Sequence, residues 1–182
     1  DLSSKLKEFK FKAIIKSCEF GYDGKNQFLV TKENLSSFKK LNLNNFIIEE
    51  FLDFKKEISV IVSKAKKNTI TYPPVENLHK GSILQETKYP ANLNDNLIKS
   101  SLRIANKIAE KIDLNGVLAV EMFVQKNNNV LVNEIAPRPH NSGHWTMDAC
   151  KYSQYDNLIL SIFEPLVKEP LPQKSSKMVN LI

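Results

Sequence analysis

One short window holds most of what this sequence offers for chemistry. Asn133-Glu-Ile-Ala-Pro-Arg-Pro-His-Asn-Ser-Gly-His-Trp145 sets a carboxylate (Glu134), a guanidinium (Arg138), two of the three histidines (His140, His144), two amides (Asn133, Asn141), a hydroxyl (Ser142) and the only tryptophan side by side. Groups of this mixture neutralise and orient a small anion. Pro137, Pro139 and Gly143 break any continuous helix, so the window reads as a strand end running into a shaped loop, where rigidly held binding groups concentrate. The plain alternative is an ordinary polar surface loop. His140 and His144 have the spacing of helical zinc motifs, but the helix and the glutamate after the first histidine are both missing. Ser142 lacks the surroundings of a nucleophile elbow.

A second carboxylate comes from the preceding strand. Gly116–Gln125 and Asn129–Ile135 are apolar runs joined by an asparagine-rich turn, and a turn centred on Asn127 and Asn128 places Glu121 opposite Glu134. Like charges facing each other are destabilising unless a cation lies between them. Mg²⁺ fits, since it takes one or two carboxylates plus substrate phosphates. A shift of one residue in the turn would break this pairing.

Other elements must carry these groups. Phe9–Lys16 alternates as a strand, Ser17–Gln27 is a loop with Gly21, Gly24 and Lys25, and Phe28–Val30 resumes the strand. Lys16 and Lys25 bring charge to a loop whose glycines let backbone amides converge on an anion. A helix over 32–41 (Leu35, Phe38, Leu41) and a strand over 45–52 complete a small α+β unit near residue 55, with Glu49, Glu50 and Glu57 at its exit. The segment 72–81, with His79, reads as irregular. Helical spacing over 92–112 marks the strongest helix, and a second is expected over 148–163, followed by a linker-like tail after Glu164.

Composition narrows the function classes. Hydrophobic residues make up 42% of 182, sufficient for a substantial core, and the formal charge is +6. The lysines are scattered and only two arginines occur, so nucleic acid is not the expected partner and small anionic ligands are. Two distant cysteines, no secretory pattern and no membrane-length apolar run point to the cytoplasm and away from a membrane.

Gly21-Tyr-Asp-Gly-Lys-Asn-Gln27, Tyr72-Pro-Pro-Val-Glu-Asn-Leu-His79, Gly116-Val-Leu-Ala-Val-Glu121 and the block from Asn133 to Cys150 resemble the ATP-grasp superfamily. The last block resembles, within it, the 5-(carboxyamino)imidazole ribonucleotide synthases of purine biosynthesis. The resemblance implies an α+β ATP-grasp fold: a small lid subdomain over 1–60, a larger antiparallel-sheet subdomain with packed helices over 61–163, and a tail over 164–182 leading to a truncated domain. It implies a carbon–nitrogen ligase that uses ATP, Mg²⁺ and bicarbonate to carboxylate aminoimidazole ribonucleotide through carboxyphosphate. Lys16, Gly21, Tyr22, Asp23, Gly24, Lys25, Asn26 and Gln27 would hold ATP phosphates. Glu49, Glu50, Phe51 and Leu52 would line the adenine, Glu57 would bind the ribose, and His79 would lie at the nucleotide. Glu121 and Glu134, with Asn133, would hold Mg²⁺ and phosphates, while Arg138, His140, Asn141 and Ser142 would face bicarbonate, carboxyphosphate and the second substrate. A homodimer of the full-length protein is a further implication, and the alternative is a fragment that only binds nucleotide or packs on a partner, or another ATP-grasp ligase. Three departures stand out: Asn26 replaces the usual glycine, Ala136 sits where many relatives place an asparagine ligand, and the chain is short, without the amino-terminal domain expected of the family.

Overall fold

The computed structural model describes residues 2–19, 26–38 and 45–181. The chain divides into two compact units, one of residues 1–53 with 81–83 and one of 54–80 with 84–182. The expected boundary at residue 60 would cut through β4 (Phe54–Lys64), which is a continuous strand.

The second unit is built on a mixed-length antiparallel sheet whose path is β10 (Ser176–Val179), β7 (Ile83–Tyr89), β6 (Val75–Lys80), β4, β8 (Gly116–Gln125) and β9 (Val130–Ala136), with β5 (Thr69–Thr71) paired to β4. β4 and β8 pair over their full lengths. Val60–Val62 of β4 and Val117–Val120 of β8 read as continuous apolar runs because both sheet faces are covered there. Even-numbered residues Ile58, Val60, Val62, Leu118, Val120, Met122 and Val124 pack with Leu97, Ala105 and Ala109 of α3 (Asp95–Lys111). Odd-numbered Ile61, Val117 and Ala119 face the other way, toward Trp145, Ala149 and Val167. Each such aliphatic burial contributes about 2 kcal/mol. A carboxylate at Glu121, in the second row, runs against the strand's own energetics.

That second row carries the polar groups. The alternation of a strand places Glu57, Ser59 and Glu121 on the face opposite α3. Val75 shares that face, so Asn77 and His79 follow it on β6. The segment 72–81, expected to be irregular, is thus largely a strand. Its inward positions from Asn77 onward are polar, and Leu78 between them is 54% exposed, which inverts the usual pattern.

Glu121 does pair with Glu134, but by a different route from the expected turn. Asn128 alone is left-handed, at φ 63°. Its N–H donates to Gln125 O and Gln125 N–H to Asn129 O, a three-residue loop that sets Val124 opposite Val130. Carried inward, that register would oppose Glu121 to Asn133. A bulge between Met122 and Glu121 absorbs Asn133 and brings Glu134 into line.

The carboxy-terminal region also differs from expectation. Instead of one helix over 148–163 there are α4 (Thr146–Ala149) and α5 (Gln154–Phe163), separated by extended residues at Cys150 and Ser153. Ser153 breaks the helix because it caps the next one: its side chain and N–H exchange hydrogen bonds with Asp156 in a capping box. Nor is the tail a linker. Asn68 bonds both backbone groups of Val167, Asn157 bonds both of Lys168, and β10 pairs with β7.

The first unit holds a three-stranded sheet in the order β2 (Gln27–Thr31), β1 (Lys12–Ser17), β3 (Phe46–Glu50). Ala13, Ile15 and Val30 pack with Leu6 of α1 (Leu2–Glu8) and with Leu35 and Phe38 of the short α2 (Leu35–Phe38). The strand expected from Phe9 begins only at Lys12, because Lys10 and Phe11 turn the chain out of α1 at positive φ. The expected end of the 32–41 helix lies outside the described residues.

Candidate active site

In the second unit, β4, β6, β8 and β9 each deliver one ionisable side chain to the same sheet face: Glu57, His79, Glu121 and Glu134. Glu57, His79 and Glu121 line a pocket together with Asn77 and Asn133, among others, and Glu134 stands opposite Glu121 on the neighbouring strand. Below the pocket a buried polar ladder braces the floor. Thr87 Oγ1 donates to Asn77 Oδ1 at 2.9 Å, and Asn77 Nδ2 donates to Ser59 Oγ at 3.0 Å. In the sequence, the only signal of Ser59, Asn77 and Thr87 is polar character at inward positions.

Charge at this site is tightly coupled. His79 Nδ1 pairs with Glu57 Oε2. Burial disfavours the imidazolium, but the hydrogen bond and charge of Glu57, with the charges of Glu121 and Glu134, outweigh it and raise the His79 pKa. Glu121 is 8% exposed. Burial first, then the charge of Glu134, raises its pKa from 4.5 to about 7, with His79 pulling the other way. Its Oε1 is buried and accepts no hydrogen bond among the described residues.

That orphaned oxygen tests whether a cation fits. A buried carboxylate beside a second one, with an unsatisfied oxygen, is a donor set for a hard divalent ion. Among the described residues no three His, Cys, Asp or Glu side chains gather round one metal position. Among the described residues, a pair of carboxylates fits a divalent ion such as Mg²⁺ whose shell is completed by phosphate and water, and does not fit a closed protein cage. Ala136 can supply no third ligand.

The loop after β9 sets the next group of side chains. His140 Nδ1 stands 3.8 Å from Glu121 Oε1, too long for a hydrogen bond. Ser142 N–H points at the same nitrogen at 3.3 Å, and Ser142 Oγ is 2.9 Å from it. A backbone N–H can only donate, so Nδ1 accepts and the ring proton resides on Nε2. Ser142 is fully buried, so it orients His140 rather than facing a substrate as expected. Asn141, exposed, opens the 3-10 turn Asn141–Gly143. Arg138 is exposed, and its Nη1 donates to Pro139 O at 3.0 Å. Trp145 is core: it is 3% exposed and stacks on Tyr89 at 4.6 Å. His144 turns from the carboxylates toward the Tyr155 ring, at 6.2 Å between centroids. Gln154, which no motif in the sequence marks, is fully buried at the start of α5, and its side chain bonds both backbone groups of His140.

In the first unit, Lys16 Nζ pairs with Glu49 Oε2 at 2.7 Å, a bond that alternation along β1 and β3 makes on the face away from Ala13 and Ile15. The side chain of Glu49, one of the expected adenine-side residues, thus holds the lysine. Glu50 is an exposed strand end. Phe51 N–H donates to Lys12 O at 3.3 Å and its ring lies under Lys12 Nζ, while Leu52 leaves the sheet half-buried. Gln27 pairs with Lys16 as the first residue of β2. Asn26 has φ 59°, so the position where glycine was expected does use a left-handed conformation, which asparagine tolerates better than most residues. Gly21, Tyr22, Asp23, Gly24 and Lys25 lie outside the described residues.

Two carboxylates on neighbouring strands of an antiparallel sheet, with a separate small α+β unit carrying a strand lysine, are the parts of an ATP-grasp protein. The ATP-grasp domain model matches residues 1–155, and the chain belongs to that family. Within it, the chain is 39% identical over 186 aligned residues to the N5-carboxyaminoimidazole ribonucleotide synthase of Bacillus subtilis, covering all of this chain and 49% of that protein. The solved N5-carboxyaminoimidazole synthetase of Staphylococcus aureus complexed with ADP aligns over all of this chain and 49% of its own, with a TM-score of 0.92 and 35% identity. The Aspergillus clavatus enzyme in complex with ADP and aminoimidazole ribonucleotide aligns over all of this chain and 48% of its own, with a TM-score of 0.88 and 29% identity. The chain spans about half the length of the relatives it matches. Among the described residues no helix is long and apolar enough to cross a membrane.

Proposed function

We propose that this chain carries the nucleotide and bicarbonate chemistry of an N5-carboxyaminoimidazole ribonucleotide synthase. The observation that carries the reading is the Glu121–Glu134 pair, with its unsatisfied buried oxygen beside an oriented His140. Bicarbonate takes the γ-phosphoryl group of ATP to give carboxyphosphate, and the amine of aminoimidazole ribonucleotide then attacks the carboxyl carbon as phosphate leaves. Phosphoryl transfer of this kind is mainly positioning and charge neutralisation.

Glu121 and Glu134 would hold Mg²⁺, which supplies positive charge to the transferring phosphoryl oxygens. Lys16, steadied by Glu49, binds nucleotide phosphate, and Glu57, held by His79, accepts a ribose hydroxyl. His140 presents its Nε2–H to an oxygen of bicarbonate or carboxyphosphate, since Ser142 occupies Nδ1. Arg138, exposed and without an ion pair to a carboxylate among the described residues, meets the same anion. Asn141, beside His140, adds an amide donor, and Asn133, displaced by the bulge, lines the pocket with Glu121 and would meet the metal-bound phosphates. Localisation in the cytoplasm follows from this pathway assignment.

Mg-ATP should stabilise the folded chain by about 2.7 kcal/mol at a hundredfold excess over Kd, which for this size raises Tm by roughly 5–10 °C. Lys16→Ala combined with Glu134→Ala should abolish the shift. A shift that survives both substitutions contradicts the site, and no shift in the unaltered chain favours a packing module instead.

A further inference from the structure

We infer that Gln154 is a positioning residue for His140, acting by binding the histidine's backbone as a neighbouring strand would. The inference rests on the role proposed above for His140. Gln154 is fully buried, and both ends of its amide are used on one residue: Oε1 accepts the His140 N–H at 3.0 Å and Nε2 donates to the His140 carbonyl at 2.9 Å. His140 is extended there, at φ −129° and ψ 151°, the backbone geometry of a strand residue. The side chain thus replaces a missing strand at the point where the chain leaves β9 and can no longer be held by the sheet.

The clamp is itself held. Thr146 Oγ1 accepts the Gln154 N–H at 3.0 Å and donates to Gly143 O at 2.6 Å, so the amide, α4 and the 3-10 turn close into one circuit. Gly143 belongs to it through what it lacks: a Cβ there would stand 2.4 Å from Gln154 Oε1. The loop therefore has glycine at this position to admit the glutamine, and no positive φ is involved. The Ser142 bonds that set the tautomer form only while Gln154 holds the His140 backbone where Ser142 meets Nδ1, so the tautomer of the imidazole depends on its position. Neither Gln154 bond touches Glu121 or Glu134, so Gln154 acts on the histidine without acting on the carboxylate pair.

This separates two readouts. Gln154→Met keeps the volume and removes both hydrogen bonds; Gln154→Glu, when its carboxyl group is protonated, repeats the donor–acceptor pair. The imidazole nitrogens of His140 would be followed by NMR, alongside Mg-ATP affinity and bicarbonate-dependent ADP release. In Gln154→Met we expect the Nδ1 and Nε2 resonances to lose the wild-type tautomer signature, Mg-ATP affinity to stay within about twofold, and ADP release to fall on the order of a hundredfold, the cost of a misplacement near 1 Å. Gln154→Met combined with His140→Ala should be no slower than His140→Ala alone, because the glutamine works through the histidine. Should Gln154→Met not fold, Gln154→Glu is expected to show wild-type His140 resonances at acid pH and to lose them as the new carboxyl ionises. His140 resonances unchanged in Gln154→Met, no such loss in Gln154→Glu, or multiplying losses in the double variant would overturn the inference. If His140→Ala itself leaves ADP release intact, the proposed role of His140 falls, while the resonances still report whether Gln154 holds the ring.

Discussion

Replacing Glu121 with glutamine should stabilise the metal-free protein at pH 8 and do little of the kind at pH 4. The carboxyl group is buried and faces Glu134, which raises its pKa from 4.5 to about 7. Below pH 4.5 it is neutral in folded and unfolded chains alike, so it costs nothing. Between pH 4.5 and 7 the unfolded chain releases the proton while the folded chain keeps it, and stability falls as pH rises. Above pH 7 the penalty is complete. The interval between the two pKa values corresponds to on the order of 3 kcal/mol at about 1.4 kcal/mol per pH unit. Glutamine cannot ionise, so Glu121→Gln escapes that loss. A buried amide brings a cost of its own, about 1–3 kcal/mol when unsatisfied, but that cost is the same at both pH values and cancels in the difference. Urea unfolding of wild type and variant at pH 4 and pH 8, without divalent cations, gives the four free energies required. The variant should gain roughly 3 kcal/mol relative to wild type between the lower and the higher pH. A difference that does not change with pH, or one that changes in the opposite direction, would show that the two carboxylates do not share a buried, repulsive site.

His79→Gln should be destabilising at pH 6 and much less so at pH 9, since a raised imidazole pKa contributes stability below its unfolded value near 6.5 and loses it as pH rises through the folded one; unfolding curves at the two pH values read this directly. Gly143→Ala should cost about 1–3 kcal/mol in urea unfolding, because the added methyl meets the Gln154 amide rather than open space. Asn157→Leu should release the tail from the second unit and speed proteolysis between residues 164 and 175, as the Asn157 side chain bonds both Lys168 backbone groups and donates to Tyr72 Oη at 2.7 Å.

What the sequence made legible follows the physics of each element. α3 and β8 declare themselves because their apolar residues serve only packing, and Leu97, Ala105 and Ala109 fall on the core as their spacing requires. β6 was hidden because its inward positions Asn77 and His79 are polar, so the alternation that normally marks a strand points the wrong way. The Glu121–Glu134 pair was reached by a turn that the chain does not make, and the bulge at Asn133 restored the alignment; no local pattern announces a bulge of this kind. α1 was obscured by Lys10 and Phe11, whose positive φ angles end the helix where alternation suggested that a strand had begun. Gln154 lies outside the motif-rich window, and only the folded chain brings it to His140. Ser142 and Trp145 fall inside the window, yet one orients a histidine and the other fills the core.

The central claim is that Glu121, Glu134 and His140 form a Mg-ATP site that activates bicarbonate, and ADP release measured with and without bicarbonate, and with and without aminoimidazole ribonucleotide, addresses it most directly. The residues assigned here answer for nucleotide phosphates, metal and a small anion, so the chain alone should release ADP slowly, faster with bicarbonate and indifferently to the ribonucleotide. Glu134→Gln and His140→Ala should each remove the bicarbonate-dependent part. Release that ignores bicarbonate, or that persists unchanged in both variants, would contradict the account.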